Sequence, residues 1–123
     1  MKASEPWDPS RATNEIRSIA RDPKLSLTYK IHARERLAER GLVISDVLHA
    51  LKFGNVYEAP LPAHASGMFR YRVDCKTPNS GSRSIGVVVI PARPERLIKV
   101  ITVMWIDEFE RKAGSILGVQ DDD

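Results

Sequence analysis

Along the first half of the chain the apolar residues recur every three or four positions, whereas beyond Gly54 they come in short runs rich in valine and isoleucine. The first spacing lines one side of a helix, and the second suits the pleated surface of a strand. Residues 1–9 hold two prolines and no period, so they read as an extended lead-in. Ser10 offers an N-cap, and Ala12, Ile16, Ile19 and Ala20 keep helical spacing until Asp22-Pro23, which predicts a helix over about 11–21. A second helix is expected to start near Thr28, whose hydroxyl can cap it, and to end at Gly41 in the left-handed conformation. Ser45 is the expected N-cap of a third, running through Val47, Leu48 and Leu51 to Phe53 with Gly54 as its terminator.

Strands are expected at about 55–59, 68–75, 84–90 and 97–105, with turns around Leu61-Pro62, 77–81 and 91–94. Connections this short cannot make a parallel crossover, so the last three strands should be antiparallel neighbours. Strand 84–90 is apolar at nearly every position, as a central strand would be. Asp107 is the expected cap of a short last helix carrying Phe109, Ala113, Ile116 and Leu117, followed by a frayed acidic tail over 119–123. The fold class is therefore α+β: N-terminal helices packed on one face of a twisted, mainly antiparallel sheet of about four strands, the other face being left for a site.

A chain of 123 residues, with 42% hydrophobic and 28% charged residues, fits one globular domain, 1–123, around one core. No apolar run approaches the roughly 20 residues that cross a bilayer, so no membrane partner is expected. The first residues lack the apolar stretch of a secretory signal and Cys75 stands alone, which together predict a cytoplasmic protein. The net charge of +3 favours anionic partners. Its distribution says more: Lys30, Arg34, Arg36 and Arg40 fall in one stretch, Arg70 and Arg72 in one strand, and three aspartates in the tail.

His32, Arg36 and Arg40 are four residues apart, which stacks them along one side of a helix beside the apolar stripe of Tyr29, Ala33 and Leu37. A ladder at the edge of a buried stripe suits a cleft wall, where guanidinium groups present paired donors to phosphate. The same helix, with Arg34, Glu35 and Glu39, also reads as a solvated mixed-charge face. In strand 68–75, alternation puts Phe69, Tyr71 and Val73 on one face and Arg70, Arg72 and Asp74 on the other. Tyr71 reads either as a core aromatic or as a catalytic phenol. Lys99 and Thr102 are polar interruptions of the last strand, and His64 beside Pro62 reads as a loop residue. The histidines His32, His49 and His64 and Cys75 lack zinc-site spacing, and no Walker or dinucleotide glycine pattern occurs, so neither metal nor cofactor is expected.

The run from His32 to Gly41, followed by Asp46-Val47 and by Leu51-Lys52-Phe53-Gly54-Asn55-Val56, resembles a small domain of unknown function grouped with the RelE, BrnT and MqsR toxins. Members show a His-Ala-x-x-Arg-x-x-x-Arg-Gly helix, a second helix ending in glycine and a Tyr-Arg hairpin, and the likeness spans about residues 28–105. The first helix and the proline-rich 60–64 loop lie outside it. The resemblance implies a RelE- or barnase-like fold, cleavage of messenger RNA, free or on the ribosome, and neutralisation by an antitoxin protein. The resemblance reaches His32, Arg36, Arg40, Tyr71 and Arg70; with the basic residues of the strands added, His32, Arg36 and Tyr71 are the expected catalytic residues, and Arg40, Arg70, Arg72 and Lys99 the expected substrate-binding ones. RNA carries its own nucleophile in the 2′-hydroxyl, so a base, an acid and positive charge suffice for a metal-independent endoribonuclease. A non-catalytic module binding RNA or protein through the same basic cleft is the competing expectation. A DNA-reading helix-turn-helix ranks below both, because its recognition helix would open on Asp46.

Overall fold

The first helix begins earlier than the Ser10 cap implied. In the computed structural model, which describes residues 5–65, 67–92 and 95–109, Asp8 caps α1 (Pro9–Ala20) by accepting the Arg11 N–H at 2.8 Å, and Pro9 occupies the first turn, where its missing N–H is harmless. Next come β1 (Ser26–Tyr29), α2 (Ile31–Glu39), α3 (Ile44–Phe53), β2 (Asn55–Val56), β3 (Leu61–Pro62), β4 (Phe69–Lys76), β5 (Ser84–Ala92) and β6 (Leu97–Trp105). A further helical stretch opens at Ile106 and is described as far as Phe109. The expected positions Ala113, Ile116 and Leu117 and the acidic tail lie outside the described residues.

The other two helix starts also differ from expectation. Thr28 is a strand residue, and Lys30 is the N-cap of α2. The four residues Ser26–Tyr29 alternate between exposed and half-buried, too short a run to stand out against the helical spacing that follows. At α3 the N-cap is Val43 and Ser45 lies inside the helix; the orphan Val43 N–H is met by the Asp46 carboxylate at 2.9 Å. Gly41 adopts the left-handed conformation expected after α2, with φ of 68°. Gly54 does end α3, but for a reason of space: a Cβ there would lie 2.6 Å from the Ala50 carbonyl and 2.8 Å from that of Asp74.

The sheet is mixed and has six strands rather than about four, in the order β1-β6-β5-β4-β2, with β3 also paired to β4. The expected antiparallel arrangement of β4, β5 and β6 holds, with β5 in the centre. The additions are β1, parallel to β6, and the two-residue β3, antiparallel to β4, while the strand expected at about 55–59 is the two-residue β2, also antiparallel to β4. Leu61-Pro62, read as a turn, is β3, where Leu61 stands opposite Arg70.

Helix α2 packs on β6, α3 on β4 and β5, and α1 on α3 and β2. Their apolar stripes, including Ile16, Ile19, Ala33, Leu37, Val47 and Leu51, form one cluster with Tyr71, Val73, Val87, Val89 and Val103 from the sheet. Each of the valine, leucine and isoleucine side chains contributes about 1.5–3 kcal/mol on burial. The helices α1, α2 and α3 thus cover one face, and alternation turns Arg70, Arg72, Val88, Ile90 and Lys99 to the other. Residues 106–109 fold over one end of that second face, where Ile106 sits so close to Gly86 that a Cβ would lie 2.6 Å from its Cδ1. Arg83 holds this segment through Asp107 at 2.8 Å and Glu108 at 3.1 Å.

Candidate functional site

The second face owes its shape to an irregularity in β6. Val88 pairs with Thr102 but Val89 pairs with Val100, leaving Ile101 as an extra residue. A bulge of this kind re-aims the side chains beside it, and here both Ile101 and Thr102 reach the second face. Two grooves result. One, of about 350 Å³, runs between the β3–β4 hairpin and the β1–β6 edge, and its wall includes Lys30, His64, Arg70 and Lys99 above a floor of Met68, Ile90, Leu97 and Ile101. The other, of about 300 Å³, is bordered by Glu58, Leu61, Arg70, Arg72, Thr102 and Phe109. Arg70 and Ile101 border both, so the grooves are contiguous.

The elements fix these positions. Lys99 stands on β6 between Thr28 of β1 and Ile90 of β5. His64 sits in the tight connection of the β3–β4 hairpin, which is extended by the Ala63 N–H donating to the Met68 carbonyl at 2.9 Å and closed by the Met68 N–H donating to the Ala65 carbonyl at 3.1 Å. Lys30 leaves the end of β1, where its N–H donates to the Val100 carbonyl at 3.0 Å. Arg72 is differently placed: its guanidinium forks onto Asp74 at 2.8 and 3.1 Å, approaches Glu58 at 3.8 Å and lies over the Phe109 ring. Much of its charge is therefore answered within the protein, and it shapes the groove wall rather than adding to the positive potential.

The residues expected from sequence fall in three places. Arg70, Arg72 and Lys99 share the second face. Tyr71, between the two arginines, is 1% exposed, and its hydroxyl accepts the Trp7 N–H at 3.0 Å and donates to the Glu5 carboxylate at 3.0 Å. Burial, reinforced by that carboxylate, raises its pKa well above the usual phenol range. His32 is exposed on α2, and Glu39 sits between the two arginines of the ladder, 3.3 Å from Arg36 and 3.9 Å from Arg40. Neither groove on the second face is lined by His32, Arg36 or Arg40. Sequence reading missed Lys30 and His64 as groove residues. The first was hidden because β1 was merged into a helix, and the second because only hairpin pairing brings the 63–65 turn over the sheet.

Among the described residues, no three His, Cys, Asp or Glu side chains gather as metal ligands would, and no helix is long and apolar enough to cross a membrane. No curated protein and no solved structure matches the chain. A family match does exist: residues 29–105, more than half of the chain, carry the DUF4258 domain of unknown function, running from the end of β1 through α2 and α3 to the last residue of β6. The bulged strand β6, the β3–β4 hairpin and both grooves' cations lie within that span, and the chain belongs to the DUF4258 family.

Proposed function

We propose that this protein is a metal-independent endoribonuclease of the toxin type, acting on messenger RNA in the cytoplasm and held in check by an antitoxin protein. One observation carries the reading: on the face that α1, α2 and α3 leave bare, Arg70 and Lys99 flank a groove that is cationic at its rim and apolar at its floor. RNA presents the complementary pair of features, a phosphodiester and an unstacked base. The strand runs along the two contiguous grooves with its phosphates toward Lys30, Arg70 and Lys99. The α2 ladder offers a second cationic surface, softened by Glu39.

The test is a time course of fragment formation from mixed RNA in excess EDTA, run with the parent, an Arg70→Ala/Lys99→Ala variant and a His32→Ala/Arg36→Ala variant. Loss of cleavage with the first pair alone assigns the chemistry to the second face, and loss with the second pair alone moves it to α2. Intact RNA with the parent protein, on free messenger and on translating ribosomes alike, sinks the nuclease reading. A non-catalytic RNA-binding module then takes its place, a reading favoured by the exposure of His32 away from both grooves. Such a module gives a salt-sensitive complex without product.

A further inference from the structure

We infer that the larger groove is a pocket for one unpaired ribonucleotide and that His64 is the general base working there, an inference that rests on the ribonuclease reading above. Four separate elements deliver the groups that matter. Lys30 comes from the end of β1, Arg70 from β4, Lys99 from β6 and His64 from the β3–β4 turn, all on the wall of the same cavity of about 350 Å³. That volume is at the lower end of the range that holds small organic ligands, roughly 300–1,000 Å³. It suits one nucleotide and not a folded helix of RNA.

The lining is divided in the way a nucleotide is. Ile90, Ile101 and the Met68 thioether form an apolar floor against which a base can lie, and the three cations stand where a phosphodiester would need them. No described lining residue carries a carboxylate, so the groove repels metal cations and attracts phosphate. It also leaves His64 as the described lining residue with an imidazole, a side chain whose ring nitrogen can accept a proton from a bound hydroxyl. His64 is exposed at the turn and so stands at the mouth of the cavity, open to a strand that enters from solvent.

The step balances without a cofactor. His64 takes the proton of the ribose 2′-hydroxyl, the 2′-oxygen forms a bond to phosphorus, and the bond from phosphorus to the 5′-oxygen breaks. The departing oxygen receives a proton from the Lys99 ammonium, and Arg70 and Lys30 meet the added negative charge on the phosphoryl oxygens. The products are a 2′,3′-cyclic phosphate and a 5′-hydroxyl end; no water is consumed.

Two measurements separate this inference from the reading beneath it. In the first, imidazole NMR signals of the three histidines, assigned with a His64→Gln variant, are followed as each ribonucleoside 3′-monophosphate is added, with inorganic phosphate as the control. Saturable shifts at His64 and the Met68 methyl, absent at His32 and His49 and weaker by at least tenfold with inorganic phosphate, support the pocket. Equal response to phosphate alone, or none at His64, overturns it. In the second, His64→Gln is compared with the parent on RNA in EDTA. A fall in cleavage of about 100-fold or more, the usual contribution of a proton-transfer group, with RNA affinity held within threefold, supports the base, whereas cleavage at the parental rate overturns it. A parent that shifts the His64 signal but cuts nothing removes the ribonuclease reading and the base with it, while the nucleotide pocket stands.

Discussion

The Thr77 hydroxyl donates to the carboxylate of Asp46 at 2.6 Å, tying the first turn of α3 to the β4–β5 connection through two residues that are 2% and 4% exposed. Asn79 donates to the same carboxylate at 2.9 Å, as does the Val43 N–H. Burial works against the charge of Asp46, and these three donors outweigh it, so that its pKa is lowered from the ordinary 3.8. Asp46→Ala leaves the donors without an acceptor, and a loss of about 2–4 kcal/mol in urea-unfolding stability is expected, as for a buried charged hydrogen-bond acceptor. A group whose folded pKa is depressed contributes stability above its unfolded value and loses it as pH falls through the folded one. Parent stability should therefore drop below about pH 4, and in Asp46→Asn that part of the acid dependence should vanish. An unchanged acid limb in the variant would show that Asp46 does not drive it.

Tyr71 gives the next prediction, because its hydroxyl is committed on the helix-covered face. Tyr71→Phe keeps the 5.4 Å ring stacking with Trp7 and removes only the bonds to Trp7 and Glu5. A loss of about 1–2 kcal/mol is expected from the unmet Trp7 N–H and the missing donor. RNA cleavage should be unaffected, and a hundredfold fall would return Tyr71 to the chemistry. Its folded pKa is raised, so its contribution is complete below the unfolded value near 10 and fades as pH rises through the folded one. Its phenolate absorbance should accordingly emerge only as the protein unfolds in alkali, a signal that Tyr71→Phe removes.

These two residues also show what the sequence could and could not disclose. Period-two alternation in β4 separated Tyr71 from Arg70 and Arg72 correctly, because side-chain alternation is local geometry. The unbroken apolar run of β5 marked it as central for the same kind of reason. Hidden were the features fixed by long-range pairing: β1 gains its identity from β6, about 70 residues later in the chain, and β3 from two residues of β4. The bulge at Ile101 leaves no mark in an apolar run. His64 could be placed at the groove only after the hairpin register was known. Asp46, weighed as a repellent for DNA phosphate, proved to be an internal acceptor whose partner Thr77 lies 31 positions away.

Gly54 provides a test of packing between α3 and the sheet. Its would-be Cβ meets two backbone carbonyl oxygens, at 2.6 and 2.8 Å, which cannot rotate aside as a side chain end would. The adjoining carbonyls are held by α1: Arg17 donates to the Gly54 carbonyl at 3.0 Å and to the Phe53 carbonyl at 3.0 Å. Gly54→Ala must therefore displace the end of α3 against an anchored neighbour, and a destabilisation of roughly 1–3 kcal/mol is expected. A Gly54→Ala variant with the parental urea midpoint would mean that α3 and β4 separate more easily than this packing implies.

Lys99 and Arg72 share the second face but should answer differently to substitution. Lys99 stands exposed on the groove wall, so Lys99→Ala removes one contact to phosphate and little else. The slope of log affinity for single-stranded RNA against log salt should become shallower by about 0.7, the value for one released counterion. Arg72 is engaged with Asp74 and near Glu58. Removing it deletes one positive charge and also takes a guanidinium away from the Glu58 carboxylate on the second groove and from Asp74 on the same face. Arg72→Ala should consequently weaken RNA binding more than Lys99→Ala at low salt, and the double variant Arg72→Ala/Asp74→Ala should recover part of the loss. Competition by salt in a fluorescence-anisotropy titration of a short RNA reads both effects. If Lys99→Ala left affinity and slope unchanged while Arg36→Ala altered both, RNA would be lying along α2 instead.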